Sequence, residues 1–279
     1  MQEKIIQQQL SSLDKIVKNK KHFLIVTHNN PDPDAISSAA ALSFLIENRY
    51  GIKTSLAYTG TIGRAENLSM VKLLKIHLKK FNRISLKKYD GFALVDGQPG
   101  AGNTPNIKYD MVIDHHPKRK DTKANFIVIN PEIGVSATFL VNWIKQSNLT
   151  LPPDLATALS YGISSETENL DREVHNNDIR AYLEVYDRAN LRKLAKILNP
   201  KQSAAYFQTL FRALKQAVSF RHLIYSGIGE VPAPEIVSEM ADLLLRHKHI
   251  SWVLCTGKFK DSLILSIRSS NKNAKAGKL

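Results

Sequence analysis

A chain of 279 residues with 43% hydrophobic content can bury more than one core, and its length suits one large domain or two smaller ones, of which two is the expectation. Lys and Arg number 39 against 25 Asp and Glu, a formal charge of +14, so the chain's field attracts polyanions such as nucleotides, oligonucleotides or polyphosphate. The single cysteine, Cys255, rules out an internal disulfide and a thiolate metal cage. It suits a reducing compartment, and its apolar neighbours mark a buried thiol rather than a nucleophile. No apolar stretch reaches the length of a membrane span and the N-terminus does not read as a signal peptide, so the expected location is the cytoplasm, away from membrane.

In chain order, residues 1–21 carry apolar residues at helical spacing. Residues 23–130 then alternate helical patterns with short apolar runs: FLIVT at 23–27, SLAY at 55–58, FALVD at 92–96, MVID at 111–114 and FIVIN at 126–130. This pattern predicts an α/β fold with a mostly parallel sheet flanked by helices. Asp34 is the expected N-cap of a helix that follows Pro33 and runs to a stop at Gly51. From about 136 to 220 the pattern is helical, with Ser136 and Thr138 as candidate caps. After 220 the alternation returns, with a strand at HLIYSGI, a helix at PEIVSEMADLLLRHK, and strands at ISWVLCTGKF and SLILSIRS. A hairpin at Asp261-Ser262 is expected to join the last two. The expected division is a larger domain with its N-terminal helix over 1–190, a helical linker over 191–219, and a smaller α/β domain over 220–279.

Three of the predicted strands end in metal-binding chemistry. His28 follows FLIVT, Asp96 closes FALVD, and Asp114 closes MVID with His115 and His116 after it. In an open parallel sheet, ligands gather beyond the carboxyl ends of the strands, so the three ends should converge. His28, Asp32 and Asp34 lie together on a proline-constrained turn, where carboxylates mixed with imidazole suit Mn²⁺ or Mg²⁺ better than a structural zinc centre. Alone, Asp32 and Asp34 read equally well as turn and cap residues. With Asp96 and the Asp114-His115-His116 run they suggest two cations sharing a carboxylate, an arrangement that hydrolyses phosphoryl groups. Arg64, near a helix start, is a candidate phosphate clamp or an ordinary ion-pair partner. His77, His175 and His247 lack such neighbours and are expected in exposed or packed roles.

Taken in order, HNNPDPDA, VDG, VIDHHP and GISSET resemble the motifs of the DHH phosphoesterase family over roughly residues 22 to 190. The resemblance implies one cation on His28, Asp32 and Asp96, and a second on Asp34, Asp96, His115 and Glu166, with manganese the first choice and magnesium or cobalt alternatives. It implies that Asp96 bridges, that His116 contacts the scissile phosphate or moves a proton, and that Asp114 orients the histidines. Glu166 stands where the family more often has aspartate, one methylene shorter. The C-terminal segment resembles the start of the DHH-associated substrate-binding domain, which makes Arg268 and Ser269 candidate substrate contacts. Many relatives continue into a glycine-rich segment with a Gly-Gly-His element where this chain ends in NAKAGKL, which leaves two readings open: a sequence cut short there, or a protein without that part of the substrate grip.

The function so implied is metal-dependent hydrolysis of phosphodiester or phosphomonoester bonds in short oligonucleotides, nucleotides or other phosphorylated substrates. Alternatives are an exopolyphosphatase- or pyrophosphatase-like hydrolase, and a non-catalytic regulator that binds nucleotide or RNA. Nothing in the sequence fixes the oligomeric state.

Overall fold

The computed structural model describes residues 2–171, 174–271 and 274. The chain divides into one unit of Met1–Ile62 with Glu66–Asn199 and another of Gly63–Ala65 with Pro200–Leu279. The first unit contains α1 (Gln2–Val17), β1 (His22–Asn29), α2 (Pro33–Tyr50), β2 (Lys53–Thr59), most of α3 (Ala65–Leu73), and β3 (Leu78–Lys80). It continues through β4 (Gly91–Val95), β5 (Met111–Asp114), β6 (Phe126–Ile129), α4 (Ala137–Gln146), α5 (Pro153–Glu166), α6 (Asn176–Tyr186) and α7 (Leu191–Leu198).

Its six strands lie in the order β3-β2-β1-β4-β5-β6, every pairing parallel. The apolar runs do not alternate because the middle strands are buried on both faces: Phe23, Leu24, Ile25 and Val26 of β1 and Met111, Val112 and Ile113 of β5 all have zero exposure. One face packs on α1, α2, α4 and α5 through residues such as Leu13, Leu42, Trp143 and Leu159. The other is covered around Tyr109 by Phe81, Leu86 and Tyr89, from two 3-10 turns and the chain beside them. β3 is an addition to the expected strands, a three-residue edge piece in a lysine-rich stretch with no apolar run of its own.

The strand order reverses direction between β1 and β4: the chain builds outward from β1 on one side and returns to build from β4 on the other. That reversal opens a crevice at the carboxyl ends of these two strands.

The start of α2 corrects the expected cap. Asp32, not Asp34, is the N-cap, accepting from the Ala35 N–H at 2.9 Å. Pro33 occupies the first helical position, where its missing N–H leaves no bond unmade. Gly51 ends the helix with φ 68°, the left-handed conformation that suits glycine. Gly162, midway along α5, faces the same first turn of α2: a Cβ there would lie 2.2 Å from Ser37 Oγ and 3.0 Å from the Pro33 carbonyl oxygen.

The second unit contains α8 (Ala204–Lys215), β7 (Val218–Phe220), β8 (Leu223–Glu230), α9 (Glu235–Leu244), β9 (Trp252–Phe259) and β10 (Ser262–Ser269). Its sheet runs β10-β9-β8-β7; β8 and β9 are parallel, while β9 with β10 and β7 with β8 are antiparallel. The hairpin turns on Lys260 and Asp261, with Lys260 at φ 54°, so Ser262 opens β10 instead of sitting in the turn. Ala213 of α8 and Val237 and Met240 of α9 pack on Ile224, Val253 and the buried Cys255. Among the described residues no helix is long and apolar enough to cross a membrane.

Candidate metal centre

β1 delivers His28 to the crevice. Its Nδ1 lies 2.9 Å from the Asn29 carbonyl oxygen, a bond that leaves Nε2 facing the carboxylates, 3.5 Å from Asp32 Oδ2 and 3.4 Å from Asp96 Oδ2. Burial works to discharge this imidazole and is the largest single influence, but Asp32 and Asp96 together outweigh it and lift its pKa to about 11. Asp32 divides its carboxylate between two tasks: one oxygen caps α2 and the other faces His28.

β4 delivers Asp96, which stands just past the strand at φ 54°. A non-glycine residue held in the left-handed region is a costly conformation that surrounding structure must enforce. Asp96 is 2% exposed. Its Oδ1 accepts from the Ser136 hydroxyl at 2.8 Å and lies 3.5 Å from His115 Nε2, while Oδ2 faces His28. Burial pushes this carboxyl upward, yet His28, His115 and His116 draw it down to about 2. Asp96 therefore belongs to two ligand-like groups, one with His28 and Asp32 and the other with His115 and His116, each with candidate donor atoms within 4.8 Å of one another.

Asp34 is fully buried and turned toward the start of α4. Its Oδ2 accepts from Ser136 N at 2.7 Å, and its Oδ1 from Ala137 N at 2.8 Å and Ser38 Oγ at 3.1 Å. A carboxylate has about four acceptor positions, so these bonds leave roughly one. Burial, then the charges of Asp96, Asp32 and Glu166, holds Asp34 well above the ordinary carboxyl range against the Ala137 bond. The Ser136 hydroxyl does not cap its own helix as the sequence suggests, because the buried Asp96 carboxylate takes it. Thr138 likewise bonds Asp178 at 2.6 Å.

β5 delivers Asp114, His115 and His116. Asp114 is completely buried; Oδ1 meets His116 Nδ1 at 2.9 Å and Oδ2 accepts from Gln98 Nε2 at 2.7 Å. The bond to Asp114 lifts His116 to about 9 against the opposing effect of burial. Gln98 was not legible from sequence, since an amide after a strand carries no metal-ligand signal. Its Oε1 accepts from Arg119 N at 2.8 Å and Thr122 Oγ1 at 2.7 Å, so a satisfied buried amide fixes the carboxylate that fixes His116.

Glu166 closes α5 and lines a cleft of about 970 Å³ together with His115, His116 and His175. It stands outside both ligand-like groups, but its charge acts on Asp34 and His116. His175 caps α6 through Nδ1, which accepts from Asn177 N at 3.1 Å. In the second unit, Arg64 and Arg268 meet on Asp242: Arg64 at 3.2 Å to Oδ2, and Arg268 Nε at 2.6 Å to Oδ1. Ser269 donates to the Ser251 carbonyl oxygen at 2.9 Å and accepts from Asn271 N at 3.1 Å.

The donor set fits divalent cations. Four carboxylates gather here: the charges of Asp96, Asp32 and Glu166 act on Asp34, and carboxylates likewise raise His28 and His116. Carboxylate oxygens suit manganese or magnesium and neutral imidazole suits transition metals, and a shared carboxylate is the usual means of placing two cations side by side.

The chain matches the DHH family, N-terminal domain, over residues 22–163. An uncharacterized protein of Methanocaldococcus jannaschii is 34% identical over 274 residues, spanning 96% of this chain and 56% of that protein. A probable manganese-dependent inorganic pyrophosphatase of Lactobacillus delbrueckii subsp. bulgaricus is 27% identical over 153 residues, 52% of this chain and 47% of that protein. The chain thus spans about half the length of these curated relatives. Among solved structures, an exopolyphosphatase-related protein from Bacteroides fragilis superposes with TM-score 0.79 at 14% identity, covering 95% of this chain and 84% of that one. RecJ from Thermus thermophilus, in complex with Mn²⁺, gives TM-score 0.51 at 14% identity, covering 96% and 47%. At such identities the likeness is one of fold.

Proposed function

Because the chain belongs to the DHH family, we propose that its centre holds two divalent cations, manganese first, and hydrolyses phosphoester bonds of short oligonucleotides or nucleotides. The observation that carries this reading is Asp96, buried, strained and common to both ligand-like groups at the strand-order reversal. His28, Asp32 and Asp96 would hold one cation. Asp96 and His115 would hold the other, with Asp34 and Glu166 as further carboxylate donors. Bound there, the cations would supply Lewis acidity toward phosphoryl oxygens and a water acidified toward neutral pH.

The chain's own groups do the rest. His116, oriented through Nδ1 by Asp114, keeps Nε2 to donate a proton to a phosphoryl or leaving oxygen. Asp114 and Gln98 hold that ring at a fixed angle and tautomer. Ser136 keeps Asp96 from rotating away from its two imidazoles. Arg64 and Arg268 are the candidate grip on an anionic end of the substrate, with Ser269 fixing the strand end beside Arg268.

The test is calorimetric titration with Mn²⁺ followed by incubation with di- to pentanucleotide RNA. Two cations and release of mononucleotides are expected; Asp96→Asn should lose both cations and turnover. Two bound cations with no hydrolysis of any oligonucleotide or nucleotide would sink the reading. A second reading, hydrolysis of inorganic pyrophosphate or polyphosphate, is favoured by the +14 charge and by the pyrophosphatase relative. Phosphate release from those substrates, but not from RNA, would select it. Tight nucleotide binding without turnover would select a regulator.

A further inference from the structure

The sheet of the second unit is apolar on both faces, yet helices cover only one. Ile224, Ser226, Val253 and Cys255 point to α8 and α9. The register places the alternate residues on the opposite face: Phe220 beside Leu223 beside Trp252, then Val218 beside Tyr225 beside Leu254. Leu263 and Leu265 of β10 extend the same surface. An ordinary one-sided sheet carries polar side chains there. Here Val218 is 64% exposed, Phe220 68%, Leu223 38%, Tyr225 44%, Leu263 75% and Leu265 54%.

With a large side chain presenting roughly 150–250 Å², those fractions amount to on the order of 700 Å². The largest apolar patch on a typical monomer is about 300–600 Å², and a stable interface takes about 800 Å² from each partner. Charge narrows the choice of partner. On this face the register places Lys258 and Glu230, which pair with each other at 3.8 Å, and Arg221 beside β7 lies over the Phe220 ring at 5.3 Å. A nucleic acid needs cations along its phosphates and aromatic rings under its bases, whereas most of this surface is aliphatic. A second copy of the chain needs neither, and the face brings few charges into the contact despite the net +14.

We propose that this open face is a homodimer interface, two sheets packed face to face about a twofold axis. Twisted sheets pack in this way with their strands about 30° apart, and a twofold axis makes one patch its own complement. The proposal is independent of the chemistry assigned to the metal centre.

The experiment is sedimentation velocity on the full chain across the micromolar range, with Leu223→Arg, Leu265→Arg and, as a control, Leu183→Arg on α6. The wild type and the control should dimerise with concentration. Each face substitution enters a twofold interface twice and buries an unpaired charge, so association should weaken more than about a hundredfold. Thermal unfolding of the diluted monomers should be unchanged, since both leucines are exposed. A wild type monomeric at every concentration overturns the proposal, as does a dimer that persists in both face variants. Binding of a short RNA by a monomeric wild type, lost on the same substitutions, would give the face to nucleic acid and overturn it too.

Discussion

Replacing Gly162 with alanine tests how tightly the turn that carries Asp32 and Asp34 is wedged against α5. The residue lies inside the helix, so alanine should gain about 1 kcal/mol of helix propensity. The new Cβ, however, would lie 2.2 Å from Ser37 Oγ, 3.1 Å from Ser37 Cβ and 3.0 Å from the Pro33 carbonyl oxygen. The hydroxyl can rotate, but the carbonyl and the Cβ are fixed to the backbone of α2, so the helix must retreat by some tenths of an ångström. Overpacking of this kind costs about 1–3 kcal/mol, which leaves a net loss of roughly 1 kcal/mol after the propensity gain. The retreat falls on the residues that carry Asp32 and Asp34, and bound geometry tolerates about 0.5 Å. The retreat uses up much of that tolerance, so Mn²⁺ affinity should fall by up to about tenfold, the low end of the scale on which disturbed ligand support acts. Urea unfolding of the metal-free protein and calorimetric Mn²⁺ titration measure the two effects. A variant at least as stable as the wild type, with unchanged Mn²⁺ affinity, would show that the close approach of α5 and α2 does not position the turn.

The histidine shifts give a signed pH dependence. His28 is raised from 6.5 to about 11, so its contribution to the metal-free fold is complete below 6.5 and fades as pH rises toward and through 11. Asp96 is lowered from 3.8 to about 2, so its contribution is complete above 3.8 and is lost as pH falls through 2. Metal-free stability followed by denaturation should decline from pH 7 to 10, and a rise would contradict the ion-pair geometry. Since a ligating imidazole must be neutral, Mn²⁺ binding at pH 7 should release protons, read as buffer-dependent enthalpy in calorimetry; buffer-independent enthalpy would count against His28 as a ligand. Gln98→Ala leaves a buried carboxylate oxygen, an amide N–H and a hydroxyl unpaired, costing about 2–4 kcal/mol, and should lower turnover about 10- to 100-fold by freeing His116. Asp242→Ala breaks two half-exposed ion pairs and should change unfolding free energy by under about 1 kcal/mol, so a larger loss would mark Asp242 as a structural anchor.

The sheet was legible because its middle strands are buried on both faces and so spell continuous apolar runs. β3 and β7 were not: each is three residues long at a sheet edge, one within a lysine cluster, with no burial pattern to read. Convergence of His28, Asp96 and Asp114 followed from their places at strand ends. The finer arrangement did not, because it depends on partners distant in sequence. Asp32 took the cap expected of Asp34 once Pro33 proved to be inside the helix. Asp34 meets Ser136 and Ala137, Arg64 meets Asp242, and Gln98 holds Asp114. Residue type and local spacing encode none of these four pairings.

The reversal of strand order carries a consequence for assembly. His28 and Asp32 come from the half of the sheet that grows in one direction, and Asp96, His115 and His116 from the half that grows in the other. The group of Asp96, His115 and His116 lies within one half, but that of His28, Asp32 and Asp96 spans both, so a cation held by the latter would require the two halves to have paired along β1 and β4. A cation held by His28, Asp32 and Asp96 would act as a rivet across the seam of the sheet. It would resist separation of the halves by an amount that grows with the logarithm of free metal concentration, and it would leave the fraying of outlying strands such as β3 untouched. Hydrogen exchange with and without Mn²⁺ should draw that line through the molecule, slowing the amides of β1 and β4 and sparing the rim.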